Sequence, residues 1–239
     1  MKTVLITGAS RGIGAATAEL MAKSGYRVVI NYNQSRDKAL ELRDRLVDKG
    51  FDALAIKADV SSYDEVDNMF GQIESVYQGV DILVNNAGVS ELKLLIDMSP
   101  DEFKRMIDVN LTGCFNTIKR AISYMLTKGG RIINISSVWG ITGASMESHY
   151  SASKAGLIGL TKSLAKEYAR SGITVNCIAP GVIDTEMNSH LTEQEKNALL
   201  EQIPAYRMGT PREVAETVLF LSKADYITGQ IITIDGGLL

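Results

Sequence analysis

The stretch that decides the fold is Thr7-Gly8-Ala9-Ser10-Arg11-Gly12-Ile13-Gly14. It follows a β-branched run, Thr3–Thr7, and its last residues open a stretch with helical character. Gly8 permits a tight turn, Gly12 lets backbone amides approach a pyrophosphate, and Gly14 lets the helix pack closely on the strand. A helix starting there offers unpaired N–H groups and the positive end of its dipole to an anion. A glycine-rich turn alone binds nothing in many proteins; the strand before it and the helix after it point to a dinucleotide. No Gly-Lys-Ser/Thr ending follows, which disfavours a nucleoside triphosphatase.

Further β-branched runs lie at Arg27–Tyr32, Asp52–Lys57, Ile82–Asn85, Arg131–Ser136, Ile173–Ala179 and Ile231–Ile234. Between most of them run amphipathic stretches with apolar residues three and four apart, such as Ala39, Leu42, Leu46 and Leu157, Leu160, Leu164. Helix-start signals stand at Ser35, at Ser99-Pro100-Asp101-Glu102 and at Thr210-Pro211-Arg212-Glu213. Strands alternating with helices predict a doubly wound, seven-stranded parallel sheet with helices on both faces, because right-handed crossovers put them there. Ligands then bind beyond the carboxyl ends of the strands.

With 239 residues, 45% hydrophobic and 22% charged, the chain has an ordinary globular composition and can bury a core without staples. No linker or repeat divides it, so one domain spanning 1–239 is expected. A net charge of −3 argues against a general nucleic-acid binder. Cys114 and Cys177 sit in apolar stretches, as buried reduced thiols do. No run is long and apolar enough for a membrane span, and an apolar strand begins directly after Met1-Lys2 with no signal-peptide pattern, so a cytoplasmic protein is expected. The two histidines, His149 and His190, have no cysteine or acidic partner at ligand spacing, and no metal is expected.

The second strand predicts the cofactor. An NAD site wants an acidic residue at its end to hold the ribose 2′-OH. Here the sequence reads Ile30-Asn31-Tyr32-Asn33-Gln34-Ser35-Arg36, with no carboxylate before Asp37. Arg11 and Arg36 are placed to meet a 2′-phosphate instead. Arg36 also has an ordinary reading, as a solvated residue of a first helical turn. NADP(H) is the expected cofactor.

Further along stand Asp59-Val60, Asn85-Asn86-Ala87-Gly88, Asn110, Ser137, Tyr150-Ser151-Ala152-Ser153-Lys154 and Pro180-Gly181. Together with the glycine turn, in this order and over essentially the whole chain, they resemble the short-chain dehydrogenase/reductase family. The Arg11 turn and Lys154-Ala155-Gly156-Leu157-Ile158-Gly159-Leu160 look most like its 3-oxoacyl-[acyl-carrier-protein] reductases. The resemblance implies a Rossmann-type α/β fold. It implies catalytic roles for Ser137, Tyr150, Lys154 and Asn110, the last anchoring a water that links Lys154 to solvent. For the cofactor it implies the turn residues Gly8, Ser10, Arg11, Gly12, Ile13 and Gly14, then Asn33 and Arg36, with Asp59 and Val60 at the adenine. Asn86, Ala87 and Gly88 would let the cofactor lie close to the fourth strand. Pro180, Gly181, Ile183 and Thr185 would hold the nicotinamide, and Tyr150 and Lys154 would also touch it. Residues 186–209 resemble a substrate lid, although an ordinary surface helix with a connecting loop is the other reading, and a homotetramer is implied.

The chemistry of these residue types agrees. Tyr150 and Lys154, four apart, share one helix face. A free phenol holds its proton too tightly for exchange at neutral pH. An ammonium ~4 Å away favours the phenolate by about 4 kcal/mol at an effective dielectric of ~20. Ser137 closes the fifth strand, where its hydroxyl can hold a substrate carbonyl against Tyr150; Ser136 should face the other way by strand alternation.

Three functions remain open at this point. The first is reduction of a 3-oxoacyl thioester on acyl carrier protein in fatty-acid synthesis. An acidic carrier needs basic residues near the mouth of the site, and Lys128 and Arg170 are the candidates; the docking arginine of the resembled enzymes falls one position later, at Ser171. The second starts from Glu147, a carboxylate in the loop before Tyr150, suited to a substrate with a terminal amine. The loop resembles that of a reductase acting on a 5-aminopentanone group on elongation factor P. The third, a non-catalytic NADPH-binding regulator, is disfavoured by the intact Ser137, Tyr150, Lys154 and Asn110.

Overall fold

The computed structural model describes residues 1–186 and 192–239. Seven parallel strands form one sheet in the order β3-β2-β1-β4-β5-β6-β7. They are β1 (Thr3–Ile6), β2 (Arg27–Tyr32), β3 (Ala53–Lys57), β4 (Ile82–Asn85), β5 (Gly130–Ile135), β6 (Ile173–Pro180) and β7 (Ile231–Ile234). Each expected run became a strand within a residue or so of its predicted bounds, because both faces of a central parallel strand are buried and its apolar run is nearly continuous. The strand order reverses between β1 and β4, so a crevice opens at their carboxyl ends.

The helices are α1 (Gly12–Lys23), α2 (Arg36–Asp48), α3 (Tyr63–Tyr77), α4 (Pro100–Ile107), α5 (Gly113–Met125), α6 (Trp139–Thr142), α7 (Ser148–Tyr168), α8 (Glu193–Gln202) and α9 (Pro211–Lys223). Alternation along β1 sorts its side chains between two cores. Val4 and Ile6 meet Met21 of α1, Leu42 of α2 and Val218 of α9 on one face; Leu5 meets Phe70 of α3, Ile118 of α5 and Leu157 of α7 on the other. Fully burying each such side chain stabilises the fold by about 1.5–3 kcal/mol.

Capping chemistry sets several starts. Ser99 with Glu102, and Thr210 with Glu213, form reciprocal capping boxes with proline in the first turn. Thr192 and Glu195 form a third capping box at the start of α8, a helix inside the 186–209 segment, where an ordinary surface helix was the alternative to a lid. Ser35 precedes α2 as expected, yet its hydroxyl makes no cap bond. Among the described residues no helix is long and apolar enough to cross a membrane. Both cysteines are free and buried, and burial pushes the Cys114 thiol up to about 11 and the Cys177 thiol up to about 12.

Candidate active site

The glycine turn is shaped by close backbone approach. Gly8 and Gly12 have φ of +60° and +55°, a conformation that disfavours a side chain. A Cβ on Gly14 would stand 2.6 Å from Asn86 Nδ2 and 2.7 Å from the Gly8 carbonyl, and one on Gly8 would stand 2.8 Å from Ala87 Cα. The turn is fastened to β4 by Asn86, whose side-chain amide donates to the carbonyls of Thr7 at 2.9 Å and Gly8 at 3.1 Å. Thr7 Oγ1 accepts from the Asn86 and Ala87 amides at 2.9 and 3.0 Å. On the other side buried Asn31 accepts from the Gly8 amide at 3.2 Å and donates to the Ala58 carbonyl at 3.0 Å. The first bond of α1 runs from Ala15 N to the Arg11 carbonyl, and no side chain caps the helix. The amides ahead of Ala15 are therefore not consumed by the helix and suit a phosphate.

The second group of residues gathers beyond β4 and β5. Lys154, 4% exposed, donates from Nζ to the Ile135 carbonyl at 2.9 Å, and Nζ lies 5.6 Å from the centre of the Tyr150 ring. Ser137 follows β5 and its hydroxyl accepts from the Trp139 amide at 3.2 Å. Ser136 points away and donates to the Lys154 carbonyl at 2.9 Å, as strand alternation requires. A Cβ on Gly140 would lie 2.8 Å from the Lys154 carbonyl carbon, so α6 can press on α7 only with glycine there.

Asn110 lies in a π-helical turn, Asp108–Thr112, that joins α4 to α5. Its side chain is fully buried and clamps the loop after β4: Oδ1 accepts from Val89 N at 2.8 Å and Nδ2 donates to Val89 O at 2.9 Å and to Ser153 Oγ at 3.1 Å. Ser153 in turn donates from its hydroxyl to the Tyr150 carbonyl at 2.7 Å. Gly88 closes this corner, for a Cβ there would meet Asn110 Oδ1 at 3.3 Å and Lys154 Nζ at 3.5 Å.

The family model described as enoyl-(acyl carrier protein) reductase matches residues 8–239. The 3-oxoacyl-[acyl-carrier-protein] reductase FabG of Staphylococcus aureus strain Mu50 is 46% identical over 240 aligned residues, 99% of this chain and 98% of that protein. The 3-oxoacyl-[acyl-carrier-protein] reductase of Synechocystis is 44% identical over all of this chain and 97% of that protein. A crystal structure of a putative gluconate dehydrogenase from Agrobacterium tumefaciens superposes with a TM-score of 0.95 at 36% identity, covering 99% and 95% of the two chains. The chain belongs to the short-chain dehydrogenase/reductase family. Nicotinamide cofactors are the family's redox partners.

Asp59, the adenine candidate of this family member, is already well partnered. Its carboxylate accepts from Ser61 N at 2.9 Å, Ser61 Oγ at 2.6 Å and Asn33 Nδ2 at 2.8 Å. Burial pushes the carboxyl up, but these hydrogen bonds and Arg105 hold it below the usual carboxylate range. Asn33 thus holds the Asp59 carboxylate. Val60 is buried under Gly113, where a Cβ would stand 2.7 Å from its Cγ2.

The Pro180–Thr185 segment runs past the same turn. Gly181 lies against Asp235, and Thr185 is the nearest neighbour a Cβ on Gly12 would meet, at 3.4 Å. Ile183 is buried and pairs with Gly209; the Asp184 amide donates to the Gly209 carbonyl at 2.8 Å and the Gly209 amide to the Val182 carbonyl at 2.9 Å. The expected lid, 186–209, therefore leaves and returns at one point. Its residues 187–191, with His190, lie outside the described residues.

Arg11 points to the end of β2 as expected, 3.5 Å from Ser35 Oγ, but its guanidinium also stands 3.6 Å from the Glu186 carboxylate. Lys38 holds the other Glu186 oxygen at 2.6 Å. The hydrogen bond with Lys38 keeps the Glu186 carboxyl below its ordinary range; burial opposes it, and the charges of Lys38 and Arg11 add to the lowering. Arg36 is exposed at the start of α2.

Lys128 and Arg170 need correction. Lys128 sits in the turn before β5 and Arg170 in the turn before β6, at the amino ends of the strands. Helix α7 separates Arg170 from Tyr150, and twenty residues at 1.5 Å each put roughly 30 Å between them. Neither lies at the mouth of this chain's own site. Glu147 stands just before α7, three residues ahead of Tyr150: one of its carboxylate oxygens is buried with no hydrogen-bond partner, burial pushes its carboxyl up, and Ser90 draws it partly back. His149 is wholly buried with neither ring nitrogen hydrogen-bonded.

Thr7, Asn31, Ser153, Lys38 and Gly140 were not singled out from sequence. A polar residue inside an apolar strand, as at Asn31, was the available signal for one of them, since buried amides must be paired.

Proposed function

We propose that the chain reduces 3-oxoacyl thioesters on acyl carrier protein to the 3-hydroxyacyl form with NADPH, in fatty-acid synthesis. The observation that carries this proposal is Lys154, held by the Ile135 carbonyl at the end of β5 with its ammonium 5.6 Å from the Tyr150 ring centre, where Ser137 follows the same strand end. The substrate follows from the relatives named 3-oxoacyl-[acyl-carrier-protein] reductase, 46% and 44% identical along the whole chain.

The residues present fit a dinucleotide. Gly8 and Gly14 leave no room for a side chain, and the amides before Ala15 offer donors to a pyrophosphate. Gly8, Ser10, Arg11, Gly12, Ile13 and Gly14 would line the phosphates, Asp59 and Val60 the adenine, and Ile183 and Thr185 the nicotinamide. The bound cofactor supplies hydride. Ser137 hydrogen-bonds the ketone oxygen and orients the carbonyl, while Tyr150 donates a proton from its hydroxyl to that oxygen as the alcohol forms. Lys154 favours the resulting phenolate, and Asn110 fixes the loop that holds Gly88 against Lys154. The proposed setting is the cytoplasm, consistent with two free, buried thiols.

A second substrate is favoured by one observation, the unpartnered buried oxygen of Glu147. A terminal amine, as on the 5-aminopentanone group of elongation factor P, would satisfy it. Assays of NADPH oxidation with acetoacetyl thioester and with the aminopentanone-bearing factor, side by side, test both; turnover of neither overturns the reductase assignment.

A further inference from the structure

Two cations from different elements converge on one carboxylate beside the glycine turn. Lys38 Nζ lies 2.6 Å from one oxygen of Glu186 and Arg11 Nη1 lies 3.6 Å from the other. Arg11 belongs to the turn before α1, Lys38 to the first turn of α2, and Glu186 follows Thr185, which itself lies against Gly12. Ser35, three residues before Lys38 on the same helix face, brings its uncapping hydroxyl within 3.5 Å of Arg11. The arrangement is a small anion site: one guanidinium, one ammonium, one hydroxyl that makes no cap bond and the amino end of a helix of 13 residues.

The end of β2 carries no acidic residue, so an anion bound there comes from elsewhere. In this structure it comes from the chain itself. All three side chains are about half exposed, at 56%, 50% and 55%, so the pairs are readily exchanged for another anion. Two oxygens of a phosphate monoester span nearly the same distance as those of a carboxylate, and a phosphate carries more charge.

We propose that Glu186 is a built-in placeholder for the ribose 2′-phosphate, and that Lys38 joins Arg11 as the second cation of the phosphate site once Glu186 is displaced. This deepens the NADPH assignment above and rests on it. It has a thermodynamic consequence: a conformation closed by Glu186 lowers the apparent affinity for the phosphorylated cofactor by the fraction of molecules so closed, and leaves the unphosphorylated one alone. Filling the phosphate site would also release Glu186 from Lys38 and Arg11.

The test is titration of the intact protein with NADPH and NADH, followed by cofactor fluorescence, in the wild type, Lys38→Ala and Glu186→Gln. Lys38→Ala should weaken NADPH by about tenfold, the usual scale of one lost charge-assisted contact, with NADH unchanged within about twofold. Glu186→Gln should tighten NADPH by about threefold or more and leave NADH unchanged, since it removes only a competing anion. Circular dichroism of each variant checks that these exposed substitutions leave the fold intact. A wild type that binds both cofactors equally overturns the NADPH assignment itself. A wild type that prefers NADPH, with Glu186→Gln weakening it or Lys38→Ala leaving it unchanged, overturns the placeholder while the cofactor assignment stands.

Discussion

The ammonium of Lys154 lies 5.6 Å from the centre of the Tyr150 ring, one helical turn away, and is held there by the Ile135 carbonyl at 2.9 Å. A strand end fixes the cation, and the cation lies beside the phenol. Tyr150→Phe keeps the ring and its packing but removes the transferable proton. Turnover should fall by about a hundredfold or more, the usual worth of a general acid, while NADPH binding changes little. Retention of more than about a tenth of the wild-type rate would falsify the proton-donor role. Lys154→Ala should harm both rate and cofactor binding, measured as kcat and as the NADPH dissociation constant.

Thr7 supports a prediction on stability. Its hydroxyl oxygen accepts both the Asn86 and the Ala87 amides, at 2.9 and 3.0 Å, and so joins the glycine turn to the loop after β4. Thr7→Val preserves the shape and strands both donors, at about 1–3 kcal/mol each when buried. A loss of about 2–4 kcal/mol is expected because Asn86 and Ala87 are only half-buried, lowering the melting temperature by several degrees. Thr7→Ser keeps the oxygen and should recover most of that loss. Equal melting temperatures for the valine and serine variants would show that the oxygen is not what matters.

How much of this was legible in sequence differs by residue. The strands were readable because buried parallel strands are almost unbroken apolar runs, as Val4-Leu5-Ile6 and Val28-Val29-Ile30 show. The Ser99 and Thr210 helix starts were readable because a capping box is local. Asn31 and Thr7 were not singled out, because their partners lie across the sheet and no spacing along the chain announces them. Lys38 was passed over for Arg36, two residues earlier, because only the path of the chain after β6 brings Glu186 to its side. Lys128 and Arg170 carried the right charge for a carrier protein, but charge does not say at which end of a strand a turn lies. Trp139–Thr142 reads as loop in sequence and is a short helix, allowed by the close contact at Gly140.

The assembly prediction rests on an apolar face. Leu157 is buried against the sheet, whereas Leu160 joins Leu111, Phe115 and Gly156 in an open groove on α5 and α7. Phe115 is 48% exposed, and Gly156 lets Leu111 approach where a Cβ would be 2.8 Å away. A homotetramer built on this face is expected, as family resemblance implies. Light scattering should give four times the chain mass at micromolar concentration, and Phe115→Glu should reduce it by placing a charge in the seam. A monomeric wild type sinks the prediction.

Glu147 separates the two substrates and gives a pH test as well. Burial pushes its carboxyl up, with Ser90 opposing, so the folded chain holds that proton more tightly than the unfolded one. A raised carboxyl contributes stability below the ordinary carboxylate range and loses it as pH rises through the folded value. At neutral pH this half-buried acid is therefore a burden to the fold. Glu147→Gln should melt higher than wild type there, with the difference vanishing in acid below about pH 4. The same variant reports on substrate. If the carboxylate receives an amine, kcat/KM for the aminopentanone substrate should fall by about 1.5–3 kcal/mol, the scale of a charge-assisted hydrogen bond. Reduction of an acetoacetyl thioester, which brings no cation, should be unchanged or slightly faster. Stabilisation without any change in either activity would mark Glu147 as a buried acid with no part in recognition, and the carrier-protein substrate would then rest on the relatives alone.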